Sequence, residues 1–113
     1  MKIETDAYSV NVSDDFSKVV FKGTLRLQGR EQYQKIFDIL LSTSAQSTGK
    51  LELDMQELIF LNSSGISTLS LFIIEMRKIE KPISITGSKT ITWQTKSLYN
   101  FQRLYKKVEI KIV

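Results

Sequence analysis

The chain has 113 residues, 42% of them hydrophobic, with no Cys, no His and a formal net charge of +4 from 16 basic and 12 acidic side chains. That length and apolar fraction suit one folded domain, residues 1–113, with a radius of gyration of roughly 13 Å, and they exclude a disordered chain. Without Cys there are no disulfides or thiolate metal sites, which fits a reducing cytoplasm, and without His no Ser-His-Asp or Cys-His nucleophile can be built. A non-enzymatic protein with no metal and no cofactor is expected.

The start, Met1-Lys2-Ile3-Glu4, lacks the charged-then-apolar layout of a signal peptide, and no apolar stretch approaches the ~18 residues of a membrane span. Ala7 to Val12 alternates as a half-buried strand. Ser13 to Ser17 supplies turn residues, and Val19 to Leu25, β-branched and aromatic, reads as a second strand closing a hairpin. From about Gln32 the period changes, with Tyr33, Ile36, Phe37, Leu40 and Leu41 forming the apolar stripe of an amphipathic helix. Ser42 to Gly49 is small and polar, so that helix is expected to fray there, with Gly49 as its end signal.

Leu51 to Met55 alternates as a short strand, and the apolar run Leu58 to Leu61 leads into Asn62-Ser63-Ser64-Gly65. Ile66, Leu69, Ile73 and Met76 form a second helical stripe, ended by Pro82. Ile83 to Thr86 is a short strand closed by Gly87; a last helix carries Leu98, Phe101, Leu104 and Tyr105; Val108 to Ile112 closes the chain as a strand. Strands that alternate with helices after a hairpin predict an α/β fold, a mixed sheet whose later strands run parallel, with about three to four helices.

The stretch with chemistry is Asn62-Ser63-Ser64-Gly65. Two hydroxyls stand at the start of a helix, whose unpaired N–H groups and positive dipole end suit a phosphate. Asn62 or Ser63 also suits an N-cap, and Gly65 suits close packing. Asp54 and Glu57, the nearest carboxylates, have no second polar cluster and read as strand-end groups. Trp93, Phe101 and Tyr105 read as core. Much of the basic excess follows Arg77, in Lys78, Lys81, Lys89, Lys96, Arg103, Lys106, Lys107 and Lys111; scattered among apolar positions, these read as solvated faces, with no nucleic acid and no membrane expected.

The run from Leu53-Asp54-Met55 through Leu61-Asn62-Ser63-Ser64-Gly65-Ile66 resembles the signature of the STAS domain family, and the element order matches that family across essentially the whole chain. The resemblance is to the small stand-alone bacterial anti-sigma-factor antagonists. It implies a cytoplasmic, monomeric or weakly dimeric phosphoprotein of signal transduction and transcription regulation. Its partners are then a serine kinase of the anti-sigma type and a phosphatase. It carries the phosphoacceptor role onto Ser64, with Ser63 the alternate, and makes Asn62, Ser63 and Gly65 the switch loop. Ser67 and Thr68, on the following helix, would border the partner surface.

Two residues depart from the family pattern. Its Asp before the two serines is Asn62 here, and its Gly-x-Leu-Asp at the end of the second strand is Gly23-Thr24-Leu25-Arg26. A site with two negative charges becomes one with a single positive charge. If Arg26 lies beside Ser64, its guanidinium is expected to pair with the phosphate through two parallel hydrogen bonds. The alternatives from the residues alone are a small-ligand or nucleotide sensor using the same helix start, and a scaffold domain without a switch.

Overall fold

Six strands lie side by side in the order in which they occur along the chain. The computed structural model describes residues 1–113. Strand β1 (Lys2–Glu4) pairs antiparallel with β2 (Tyr8–Val12), and β2 antiparallel with β3 (Lys18–Leu25). From β3 onward every pairing is parallel, to β4 (Leu51–Leu61), β5 (Ile83–Gly87) and β6 (Val108–Ile112). The crossovers carry helix α1 (Gly29–Gln46) between β3 and β4 and helix α2 (Ser63–Lys78) between β4 and β5. Between β5 and β6 run α3 (Thr92–Ser97), a 3₁₀ turn at Leu98–Asn100 and α4 (Phe101–Leu104).

Parallel neighbours joined in sequence by right-handed crossovers place all their helices on one face of the sheet. The side chains agree. Val10, Val19, Phe21, Leu51, Leu53, Ile83, Ile85 and Val108 share one face and are buried. The opposite face carries Asn11, Val20, Asp54, Thr86 and Lys111 along one row and Lys18, Glu52, Ser84 and Glu109 along the next. The helix stripes close the core with Tyr33, Ile36 and Leu40 from α1 and Leu69, Phe72, Ile73 and Met76 from α2. The radius of gyration is 12.7 Å, that of one compact unit of this length. No helix is long and apolar enough to cross a membrane.

The hairpin, the six later elements and the mixed sheet stand in the expected order, and the structure differs in four details. Strand β1 is an addition; three residues are too short for alternation to register. Helix α1 starts at Gly29 and runs on through Gln46, because Thr43 and Ser44 turn their hydroxyls back onto the carbonyls of Ile39 and Leu41 and stay buried within the helix. The final helix is broken into three short pieces.

The fourth difference positions the site. Strand β4 has eleven residues, continuing through Leu61 instead of ending near Met55. Its register against β3 slips twice, between Val20 and Lys22 and between Gly23 and Thr24. Such bulges break the alternation that marks a strand in sequence. The Asp54 carboxylate accepts from the Gln56 backbone N–H at 3.1 Å at the first slip. Gly23, at φ +91, lies where a Cβ would sit 2.3 Å from the Ala7 carbonyl oxygen, so only glycine lets β2 and β3 meet there.

Beyond Asp54, β4 has outrun its β5 partner. The inner side of α3 takes over. Gln94, fully buried, donates to the carbonyls of Met55 and Leu58 and accepts from the Ser88 N–H, and the Trp93 indole donates to Leu58 as well. Two side chains thus satisfy the carbonyls that a longer β5 would have taken. The end of β4 is thereby fixed in space.

Candidate functional site

Asn62 follows directly on β4 and is the N-cap of α2: its side-chain oxygen accepts from the Gly65 N–H at 3.0 Å. The same oxygen accepts from the Tyr33 hydroxyl at 2.6 Å, and the amide nitrogen donates to the Leu27 carbonyl at 2.7 Å. The Asn62 backbone N–H adds a bond to the Leu25 carbonyl. One side chain therefore ties α2, α1 and the β3–α1 loop together.

This geometry explains the departure at position 62. A carboxylate could keep the two incoming donors but has no N–H for Leu27, whose carbonyl would face a negative oxygen. Burial raises the Tyr33 phenol above its ordinary value of 10.0, so it remains a donor throughout neutral pH. Gly65 is required by packing: a Cβ there would lie 2.2 Å from Leu61 Cδ1 and 2.8 Å from the Tyr33 oxygen.

Ser64 is half-buried, and its Oγ accepts from the Gly29 N–H at 3.2 Å. Gly29 opens α1, so the Ser64 hydroxyl sits where the first turns of two helices meet. The Gly29 N–H of α1 reaches it, and it lies near the positive ends of both helix dipoles. Ser63 is exposed and its hydroxyl has no partner in the chain. The serines thus divide, one held between helices and one in solvent.

One turn along α2 from Ser64, between α1 and α2, lies a groove of about 80 Å³, walled by Arg30, Gln34 and Phe37 on one side and Ser67, Thr68 and Leu71 on the other, with Tyr33 also lining it. Ser67 is exposed; Thr68 is buried, and its hydroxyl donates to the Ser64 carbonyl one turn back. Leu71 is an exposed large apolar side chain at the groove's edge.

Arg26 stands elsewhere. Its guanidinium lies 4.8 Å from the centroid of the Phe60 ring, a cation–π contact, and no hydrogen bond joins it to Ser64. The cation beside the serine's groove is Arg30, which sequence reasoning passed over. So were Gly29 and Tyr33. A helical stripe marks Tyr33 as core but says nothing of a hydroxyl reaching a cap 29 residues away. Glu57 pairs with Lys22 at 3.4 Å, and Asp54 is occupied at its bulge, so neither carboxylate joins the serines. No group of three or more carboxylates is placed to hold a metal ion.

No family model and no curated protein matches the sequence. Solved structures do match in shape. A chain of the crystal structure of the diguanylate cyclase SiaD in complex with its activator SiaC, from Pseudomonas aeruginosa, superposes with a TM-score of 0.74 at 16% identity, over 100% of this chain and 99% of that one. SiaC of Pseudomonas aeruginosa gives 0.67 at 14% identity, over 98% and 92%. The apo-SiaC crystal structure of the same organism gives 0.62 at 13% identity, over 99% and 98%.

The chain has the fold of SiaC. The STAS-like α/β architecture expected from the sequence is the one observed, over essentially the full length of both chains. At these identities the likeness extends to the fold alone.

Proposed function

We propose that this chain is a non-enzymatic, protein-binding regulator of the anti-sigma-factor-antagonist type, switched by phosphorylation of Ser64. Its partners in this reading are a serine kinase of the anti-sigma type and a phosphatase that resets the serine, with Ser63 as the alternate acceptor. The observation that carries the reading is the Ser64 hydroxyl at the meeting of two helix N-termini, one turn from the Ser67 and Thr68 lining of the α1–α2 groove.

The physics favours a switch at that point. Phosphorylation adds about −1.5 to −2 charge. Beside two helix starts that charge gains roughly 0.3–1 kcal/mol per dipole, so the fold tolerates it. A partner seated over the groove instead meets new charge and a larger group at its contact, through repulsion and desolvation. Ser67 and Arg30 face the same groove and belong to the partner surface, with Thr68 beneath them, while Arg26, over the Phe60 ring, stands apart from it. The match in shape to SiaC, named as the activator of a diguanylate cyclase, supports a mode of action through contact with a protein. It leaves room for a partner that is itself a signalling enzyme.

A quantitative pull-down from the native host with wild type, Ser64→Ala and Ser64→Asp tests the proposal. Ser64→Ala is expected to retain the partner and Ser64→Asp to lose most of it. Equal recovery by both variants contradicts the switch.

A further inference from the structure

From Lys81 to Val108 the chain carries six cations, Lys81, Lys89, Lys96, Arg103, Lys106 and Lys107, and not one carboxylate. Scattered in sequence, they look like ordinary solvated charge. The α3–α4 segment brings two of them, Lys96 and Arg103, to its outer side. Across the 3₁₀ turn at Leu98–Asn100, Lys96, Tyr99, Asn100 and Arg103 lie on the outer side, opposite the buried Gln94, Leu98, Phe101 and Tyr105. All four are exposed, while Leu98 and Phe101 point into the core.

None of the four makes a side-chain hydrogen bond or ion pair in the structure, so their polar groups are open to a ligand, as are those of several other surface cations such as Lys89. Tyr99 is 50% exposed, with a cation one turn before it and another one turn after. Lys106 and Lys107, exposed in the following turn, prolong the basic edge.

We infer that this outer face of α3–α4 binds single-stranded nucleic acid. The Tyr99 ring is the stacking platform for a base, Lys96 and Arg103 take the flanking phosphates, and Asn100 offers an amide to a base edge. A ring flanked by cations is the arrangement that binds single strands with little sequence preference. The stretch from Thr92 to Leu104 spans about 20 Å at helical rise, enough for a few nucleotides. An anionic membrane is less well served, because the apolar side chains of this segment are turned inward and the face carries no aliphatic group to insert. An acidic protein segment would use the cations but not an isolated, solvent-facing ring. The inference rests on residues remote in sequence from Ser64 and stands or falls independently of the switch.

Fluorescence anisotropy with labelled oligo(rU) and oligo(dT) of about 12 nucleotides tests it. Expected is binding near 50 mM salt that weakens with a log–log slope of roughly −2 to −3, as three to four contacts to single-strand phosphates give. Tyr99→Ala should lose roughly fivefold or more in affinity, and Lys96→Ala with Arg103→Ala should flatten the salt slope. Ser64→Ala should bind as wild type does. The inference is overturned by no binding at low salt or by a Tyr99→Ala variant that binds as tightly as wild type. It is equally overturned by a poly-glutamate peptide or phosphatidylserine vesicles bound as tightly as the oligonucleotides.

Discussion

At the junction after β4 the Asn62 side chain has both its polar atoms partnered inside the chain, whereas on the outer side of the α3–α4 segment four neighbouring polar side chains have no partner. Asn62 alone engages Tyr33, Gly65 and Leu27, while Lys96, Tyr99, Asn100 and Arg103 meet only solvent. The inner side of that same segment belongs with the junction, through Gln94 and Trp93 on β4. One short stretch of chain thus holds the serine site in place with one side and faces solvent with the other. The contrast teaches where each kind of change acts: at the junction on geometry and stability, on the outer face on binding and charge.

The sharpest way to break the contrast is Gln94→Ala. It leaves the Met55 carbonyl and the Ser88 N–H without partners, and a buried unsatisfied group costs about 1–3 kcal/mol. A loss of about 3 kcal/mol in urea unfolding is expected, with weakened partner binding as the end of β4 loosens. A loss below about 1 kcal/mol, within the range of ordinary surface changes, would show that Gln94 does not hold the junction.

Next in size are Gly65→Ala and Asn62→Asp. Overpacking against Leu61 and Tyr33 should cost the first about 1–3 kcal/mol. The second introduces the Asp of the motif that this stretch resembles, and near a helix start its charge gains about 0.3–1 kcal/mol. The abandoned Leu27 carbonyl costs about 1–3 kcal/mol, so net destabilisation is expected. Stabilisation by Asp at this position would refute the three-way role of the Asn62 amide.

How much of this was legible in the sequence follows from the range of each interaction. The stripe Tyr33, Ile36, Leu40 and the alternation in Leu51 to Met55 are local patterns, and the elements they mark are present. The motif at Asn62 to Gly65 stands at a strand-to-helix junction as its residues suggest. The bulges of β4, by contrast, interrupt the period that signals a strand, so the alternation marks only Leu51 to Met55 of its eleven residues. The bonds of Tyr33, Gly29 and Gln94 join positions 29 to 39 residues apart, and nothing local encodes them. Arg26 was read by alignment to a motif, which fixes a backbone position but not the direction of a long side chain; Phe60 captures it. The outer stripe went unread because its spacing matters only once the inward-facing residues are known.

A smaller effect comes from pH. The folded-state value of Tyr33 lies above the unfolded 10.0 because of burial, so the folded chain holds that proton more tightly. Its contribution to stability is fully present below pH 10.0 and is lost as pH rises through the folded value. Urea midpoints should fall less steeply in alkali for Tyr33→Phe than for wild type; parallel curves would deny the burial effect. The smallest effect is on the outer face, where Lys96→Ala and Arg103→Ala should each leave stability within about 0.5 kcal/mol of wild type. A larger loss from either would mean that this face is part of the folded framework after all.

The most direct test of the central claim is phosphopeptide mapping of the protein purified from its native host, with and without phosphatase treatment. The account predicts phosphate on Ser64 in a fraction of the molecules, removed by the phosphatase and absent from Ser64→Ala. A protein unmodified at both Ser63 and Ser64 under all growth conditions, or modified only at residues away from the junction, would contradict it.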